Sequence, residues 1–387
     1  MYDNIFAAVT GAESADLDAQ VEVTAEAVAE AVVDKELAEV EVELVEHEKD
    51  IEEAEHAIEV LEEKVEELQE EVGGMESMLS GATEFNAALF HDKFRRASKI
   101  AARFGANVEI QGAESFADAS TASMNSLAGI ESFKERAGKA KEAIKKFFVD
   151  LYNSFIAFFQ GLFNKFKGIE QKAKTLGNKS GDAKEKVNLP AAASWLGANG
   201  QIAPAGAVSK VVAAGETAVK AAGKEGALSG IQAGVKALKE LGTATQTSST
   251  EDTETFKVAV GDGSFTVVYP KTVAGLGKVQ VSGMNGGEAK KDQDGLKKAQ
   301  LGTIISSVQT QAKSLQFAKL DSKALTAQRD QTIATLARMA AEDKADVSED
   351  IGAIKAAAKA ALKLQKGALA VAGDLLQAQL AFVSAHF

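Results

Sequence analysis

The chain has 387 residues and no cysteine, which excludes disulfides, thiolate nucleophiles and cysteine-ligated zinc. Its net charge of −13 is the sum of two unlike parts. Residues 1–114 contain 30 acidic and 8 basic residues, a net of −22, and residues 115–387 contain 26 acidic and 35 basic residues, a net of +9. This difference predicts that the two parts face different electrostatic partners.

The first residues of the chain do not have the pattern of a secretory signal peptide. Residues 1–10 carry Asp3 and no basic residue, and the apolar stretch Ile5–Val9 is shorter than a signal-peptide apolar region. No window reaches about 18 uninterrupted apolar residues, so we expect no transmembrane helix. The absence of cysteine fits synthesis in a reducing cytoplasm.

Residues 37–72 carry a heptad repeat that predicts an acidic coiled coil. Apolar residues fall seven apart at the a positions, which are Leu37, Leu44, Ile51, Ile58, Val65 and Val72. The flanking positions are mostly Glu, so two identical helices would repel each other across the seam. The sequence leaves open whether the partner is a second copy or another helix of the chain. It also leaves open whether the coil is a scaffold element or a solvated helix. The paired Gly73 and Gly74 predict the end of this helix.

The region from 132 to 250 is predicted to be helical, and its first part, residues 132–187, is basic, with 13 Lys and Arg against 6 Asp and Glu. A phenylalanine-rich amphipathic helix lies within this part, and its apolar face is Ile144, Phe147, Phe148, Leu151, Phe155, Phe158, Phe159, Leu162, Phe166 and Ile169. The phenylalanines are expected to form core, with a membrane contact as the alternative. The lysines form either a nonspecific DNA-binding surface or a solvated face.

Residues 251–283 are predicted to form an antiparallel β-hairpin module. Apolar residues alternate on both sides of Gly261-Asp262-Gly263, a turn sequence, and Lys278–Ser282 is a candidate third strand. Residues 284–387 return to a helical pattern. The predicted fold class is therefore mainly α, with an acidic N-terminal coiled coil and a helical remainder that contains a small antiparallel β module.

The tetrapeptide Gly-x-Glu-Ser occurs four times, although chance gives about 0.2 copies in a chain of this composition. The four glutamates are Glu13, Glu76, Glu114 and Glu131. All copies are expected between patterned segments, where a protease can bind an extended peptide. We interpret them as protease sites cut after Glu; the alternative is punctuation at helix ends.

These motifs, the acidic coil and the change of charge resemble the internal head (prohead core) proteins of large contractile-tailed bacteriophages. In that group a prohead protease cuts after glutamate at short motifs during capsid maturation. The resemblance implies that residues 1–114 are an acidic propeptide and 115–131 a processed linker. The mature basic part would stay inside the capsid with the DNA, after assembly of the precursor in the host cytoplasm. The implied partners are the prohead protease, capsid and core proteins, and nonspecific DNA, with self-association through 37–72 as a further expectation.

The sequence contains no recognisable catalytic constellation. Its four histidines are His47, His56, His91 and His386, and none belongs to a zinc-protease, nucleotide-binding or serine-hydrolase motif. We therefore expect a structural protein without catalytic, cofactor or metal sites. Two alternatives remain, an effector ejected into the host that acts on membrane or host proteins, and an unprocessed capsid or tail protein.

Overall fold

The computed structural model describes residues 25–103, 119–179, 182–196, 202–221, 224–318, 320–340 and 347–387. Most of them are helical, so the protein belongs to the predicted mainly α class. The described helices are α1 (Ala25–Leu79), α2 (Ala87–Arg103), α3 (Ala119–Gly177), α4 (Ala205–Lys220), α5 (Lys224–Lys239), α6 (Lys298–Gln316), α7 (Ser322–Ala340) and α8 (Val347–Ala385).

The described strands form two small antiparallel sheets. They are β1 (Lys186–Leu189), β2 (Thr243–Ser249), β3 (Thr253–Val260), β4 (Gly263–Pro270) and β5 (Lys290–Asp294). One sheet pairs β1 with β5, and the other has the order β2-β3-β4. In the second sheet Phe256 pairs with Val267 and Val258 with Phe265. Val258, Phe265 and Val267 are fully buried, so the alternating apolar face of the hairpin packs on the helices.

The predicted hairpin is present, but its third strand is β2, which lies within residues 132–250, a region predicted to be helical. β2 is almost entirely exposed and consists of Thr, Ser, Gln and Ala, so it has no apolar alternation to mark it as a strand. The segment around Val281 runs beside β4 only through isolated bridges, such as Val267 with Val281. Gly261 in the hairpin turn has φ +61°, and a Cβ there would lie 2.1 Å from the carbonyl oxygen of Trp195. Glycine is therefore required at this turn.

Helix α1 does not end at Gly73 and Gly74, as the paired glycines predict, but continues to Leu79. Met75 and Met78 are buried against α2, and the Lys93 ammonium of α2 lies 2.9 Å from Glu71. A Cβ at Gly74 would lie 2.8 Å from Lys93 Cε, so the glycine leaves room for this close approach. Tertiary packing offsets the cost of about 1 kcal/mol for each glycine in a helix.

Helix α3 begins at Ala119, so the last part of the segment expected to be a linker, residues 119–131, is helical. Further along, Phe155, Phe158, Phe159 and Phe166 are buried in the main hydrophobic core. The predicted phenylalanine-rich face from Leu151 onward is thus core; the side chains of 144, 147 and 148 lie outside the described part.

Helix α8 is the central element of this core. It packs against α3, α4, α5, α6 and α7, and most of its residues from Ala353 to Val383 are buried. Its alanines and glycines allow close packing; a Cβ at Gly367, for example, would lie 2.3 Å from Val281 Cβ. The apolar interior therefore joins residues of α1 and α3 to the C-terminal helices and to the three-stranded sheet.

Candidate functional site

The acidic helix α1 packs within its own chain, along α3. The first four a positions, Leu37, Leu44, Ile51 and Ile58, are buried in the main core. Two glycines of α3, also seven residues apart, receive the first two side chains: a Cβ at Gly168 would lie 2.7 Å from Leu37 Cδ2, and one at Gly161 would lie 3.0 Å from Leu44 Cδ2. The seven-residue spacing of the leucines therefore matches the spacing of the two glycines, and α1 and α3 run antiparallel.

One further heptad position of α1 forms a continuous row of ion pairs with six lysines. The acidic residues of this position fall seven apart, at Asp34, Glu41, Glu48, Glu55 and Glu62. Their lysine partners are on α3 and α8, at N–O distances of 2.5 Å for Asp34–Lys172, 3.3 Å for Glu41–Lys165, 2.9 Å for Glu48–Lys366, 2.8 Å for Glu55–Lys363, 3.2 Å for Glu62–Lys355 and 3.4 Å for Glu62–Lys359. We call these six lysines the lysine row.

The lysine row is mostly buried in the full chain, where each lysine pairs with an acidic residue of α1. The lysine side chains are between 8% and 29% exposed, whereas isolated surface lysines are ordinarily open to water. Lys366 also lies over the ring of Phe158, with its Nζ 5.2 Å from the ring centroid. Salt screens partly buried ion pairs less than exposed ones. Removing the acidic partner would leave the charge of a partly buried lysine uncompensated.

Lys165 is the most buried member of the row and contacts two carboxylates. Its Nζ lies 3.3 Å from Glu41 and 3.8 Å from Asp374 of α8. Burial raises the pKa of the Asp374 carboxyl, while the Lys165 ammonium and the Met284 N–H that donates to it act in the opposite direction. Asp374 therefore gives Lys165 a second acidic neighbour on α8.

Two of the four predicted cleavage residues lie in described helices, and the structure brings them close together. Glu76 is in α1 and Glu131 is in α3. Glu76 forms an ion pair with Lys134, three residues after Glu131. Met75, Ile130 and Phe133, which flank the two sites, are buried in one small hydrophobic cluster with residues of α2.

Both sites therefore have helical backbone, although they were expected between patterned segments. Glu131 is solvent-exposed and Glu76 is partly exposed, so their side chains are accessible while their backbones are not extended. Glu13 and Glu114 lie outside the described residues.

The described part of the chain contains no group of three or more His, Cys, Asp or Glu side chains placed to hold a metal ion. A cavity of about 630 Å³ lies between α5 and the three-stranded sheet, and its lining includes Lys236, Lys239 and Tyr269. The Lys239 Nζ lies 3.2 Å from the centroid of the Phe256 ring, and burial lowers the pKa of this lysine. This contact is a cation–π interaction within the fold.

Comparison with protein families matches residues 39–385 to the model of the phiKZ-like phage internal head proteins. The chain belongs to this family. The matched region contains four of the five acidic positions of the row and all six lysines. No curated protein and no solved structure matches the chain.

As an internal head protein, the chain is a structural component located inside the phage capsid. The resemblance seen in the sequence is thus confirmed at the level of the family. The lysines of α8 were missed by sequence reasoning, although their spacing of four, four and three residues within an Ala-rich stretch is a visible helical row.

One helix of the internal head protein has the length and composition of a membrane span. Its segment Gly352–Ala385 has a window of mean hydropathy 1.4, but 67% of that window is buried inside the protein. A core helix of this kind meets the same criteria for length and composition. Its burial is accounted for by its packing on five other helices.

Proposed function

We propose that this internal head protein is made as a precursor in the host cytoplasm and is cut after Gly-x-Glu during capsid maturation. The acidic N-terminal part then leaves, and the basic part remains with the packaged DNA. The observation that carries this proposal is the position of the motif relative to charge: residues before the cut after Glu114 sum to −22 and those after it to +9.

Glu114 is the cut that best preserves the mature fold. It falls between α2, which ends at Arg103, and α3, which begins at Ala119. Cutting there removes α1 and α2 as whole helices and leaves α3 whole. Cutting after Glu131 would instead divide α3 and separate Ile130 from Phe133 within their cluster.

Cleavage at Glu76 and Glu131 requires local opening of helices, because a protease binds extended backbone. A first cut after Glu114 would loosen both, because it separates α1 and α2 from the helix that carries Ile130 and Phe133. We therefore propose that the prohead protease cuts after Glu114 first, and after the helical sites later or not at all.

The remaining partners follow from the same arrangement. The first two a positions of α1, Leu37 and Leu44, are buried against α3, so self-association through 37–72 would require α1 to leave α3. We expect it only in the released propeptide or during assembly. The buried phenylalanines of α3 support core packing in place of a membrane contact.

Mass spectrometry of purified mature particles tests the proposal. We expect semi-tryptic peptides that begin at Ser115, with or without a second set from Ser132, and no peptides from α1. The full-length recombinant chain, digested in parallel, is the control for detection of α1 peptides. Coverage of α1 in particles equal to that of the control would refute processing.

A further inference from the structure

The six lysines of the lysine row lie along one line, because each of them pairs with the same row of acidic residues on α1. From Asp34 to Glu62 that acidic row extends over about 42 Å, at 1.5 Å per residue. This length corresponds to about twelve base pairs of duplex DNA at 3.4 Å per step. The four lysines of α8 alone, from Lys355 to Lys366, extend over about 16 Å.

The α1 side of this contact presents carboxylates at a regular interval. Each acidic position follows the previous one by seven residues, which is about 10 Å along the helix. Duplex DNA also presents negative charges at close intervals along its axis, about one for every 1.7 Å when both winding strands are counted. The lysines have flexible stems, so they contact such charges without reading sequence.

We propose that the lysine row is a binding surface for the phosphate backbone of duplex DNA, and that α1 covers it in the precursor by occupying the place of the DNA. The inference rests on the proposed removal of α1. Before the cut, the acidic row keeps the basic surface from condensing on nucleic acid; after the cut, the same six lysines take phosphates. Asp374 lies beside Lys165, the second position of the row counted from Lys172, and this is where phosphate should bind least well.

The decisive experiment uses the full chain with a sequence-specific protease site inserted after Glu114, so that folding precedes cleavage. A labelled 30-base-pair duplex of random sequence is added to the uncut and cut protein, and anisotropy and native mass spectrometry report DNA binding and release of the N-terminal fragment. We expect weak binding by the uncut chain, binding at least about tenfold tighter after cleavage, and release of the fragment as DNA binds. For six phosphate contacts, the logarithm of affinity should fall with the logarithm of salt with a slope of about −5.

Charge variants locate the surface. In the cut protein, the variant K355Q/K359Q/K363Q/K366Q should weaken DNA binding and reduce the salt slope by about 4, since each phosphate contact contributes about 0.9. The matched control is K210Q/K220Q/K257Q/K271Q, which removes the same charge from exposed lysines outside the row and should retain most of the binding. Leu44→Asp in the uncut chain is a second route, because it displaces α1 from α3 without altering either charged row.

Three outcomes would overturn the inference: cleavage that does not tighten DNA binding, equal loss of binding in the two quadruple variants, or a cut body that holds the acidic fragment or a second copy in place of DNA. Circular dichroism of each variant separates these outcomes from unfolding.

The inference and the proposed function fail in different experiments. Intact α1 in mature particles would refute processing, whereas the binding data test the lysine row whether or not the phage cuts the chain.

Discussion

Leu37 of α1 packs directly over Gly168 of α3, where a Cβ would lie 2.7 Å from Leu37 Cδ2 and 3.1 Å from Cγ. The contact joins the acidic helix to the body of the protein through a position without a side chain. It sits beside the ion pairs of Asp34 with Lys172 and of Glu41 with Lys165. Apolar packing and charge therefore hold α1 in the same register.

The variant Gly168→Leu is expected to displace Leu37 and weaken the docking of α1. Overpacking of a filled contact costs about 1–3 kcal/mol. Chemical denaturation measures the loss in free energy of unfolding. Gly302→Leu is the matched control, because a Cβ added at this glycine of α6 would meet no atom within 4 Å, and the substitution should be neutral or stabilising. Equal effects of the two substitutions would contradict the packing assigned to Gly168.

Gln365 of α8 predicts a stabilising substitution. Its side chain is fully buried, and neither its Oε1 nor its Nε2 has a hydrogen-bond partner within the described residues. Gln365→Met should raise the free energy of unfolding by about 1–3 kcal/mol, because it removes two buried polar atoms that make no hydrogen bond. Gln379→Met is the matched control and should have the opposite effect, because Gln379 is equally buried but its side chain forms hydrogen bonds with Ile202 and Leu375. A Gln365→Met protein that is less stable than the wild type would refute this account.

His386 predicts a dependence of stability on pH. Burial lowers the pKa of its ring, although the hydrogen bond between Nδ1 and the Phe382 carbonyl oxygen, at 2.7 Å, acts the other way, and the nearby Lys184 charge lowers the pKa further. The folded chain thus favours the neutral ring. This contribution is fully present above the ordinary pKa of 6.5 and is lost as pH falls through the lowered folded value.

Unfolding measured between pH 8 and pH 5 tests this expectation. The wild type should lose stability relative to His386→Phe as the pH falls, by about 1.4 kcal/mol for each unit by which the pKa is lowered. His56→Gln, at an exposed position of α1, is the control and should follow the wild-type profile. Parallel profiles for wild type and His386→Phe would show that the buried ring does not titrate in this range.

Replacing Phe133 should change how fast a protease cleaves after Glu131. Its ring is fully buried and lies 5.2 Å from the Phe94 ring, between centroids, in the cluster that fixes this end of α3. Truncation to Ala typically costs about 3–5 kcal/mol. In Phe133→Ala, cleavage after Glu131 by a glutamate-specific protease should be at least about tenfold faster than in the wild type, because cleavage requires local opening of α3. Phe317→Ala, at a ring that is 75% exposed, is the control; an unchanged rate in Phe133→Ala would mean that the site opens independently of this cluster.

The sequence by itself determined the mainly α class, the hairpin around Gly261, the heptad of α1 and the family. These features depend on local periodicity and turn chemistry, which residues reveal without their partners. Periodicity also predicted the buried phenylalanines from Leu151 onward. By contrast, β2 has no apolar alternation, so only its pairing with β3 makes it a strand.

Only the tertiary structure decided what the acidic helix packs against. The heptad of α1 is equally compatible with a second copy, because apolar spacing specifies a seam and not its partner. The structure supplies α3, with Gly161 and Gly168 under the leucines, and α8, with lysines opposite the acidic row. Likewise, Gly73 and Gly74 are helical because Met75 and Met78 are buried against α2. Such contacts join residues as far apart in the chain as Glu48 and Lys366, so the local sequence pattern does not specify them.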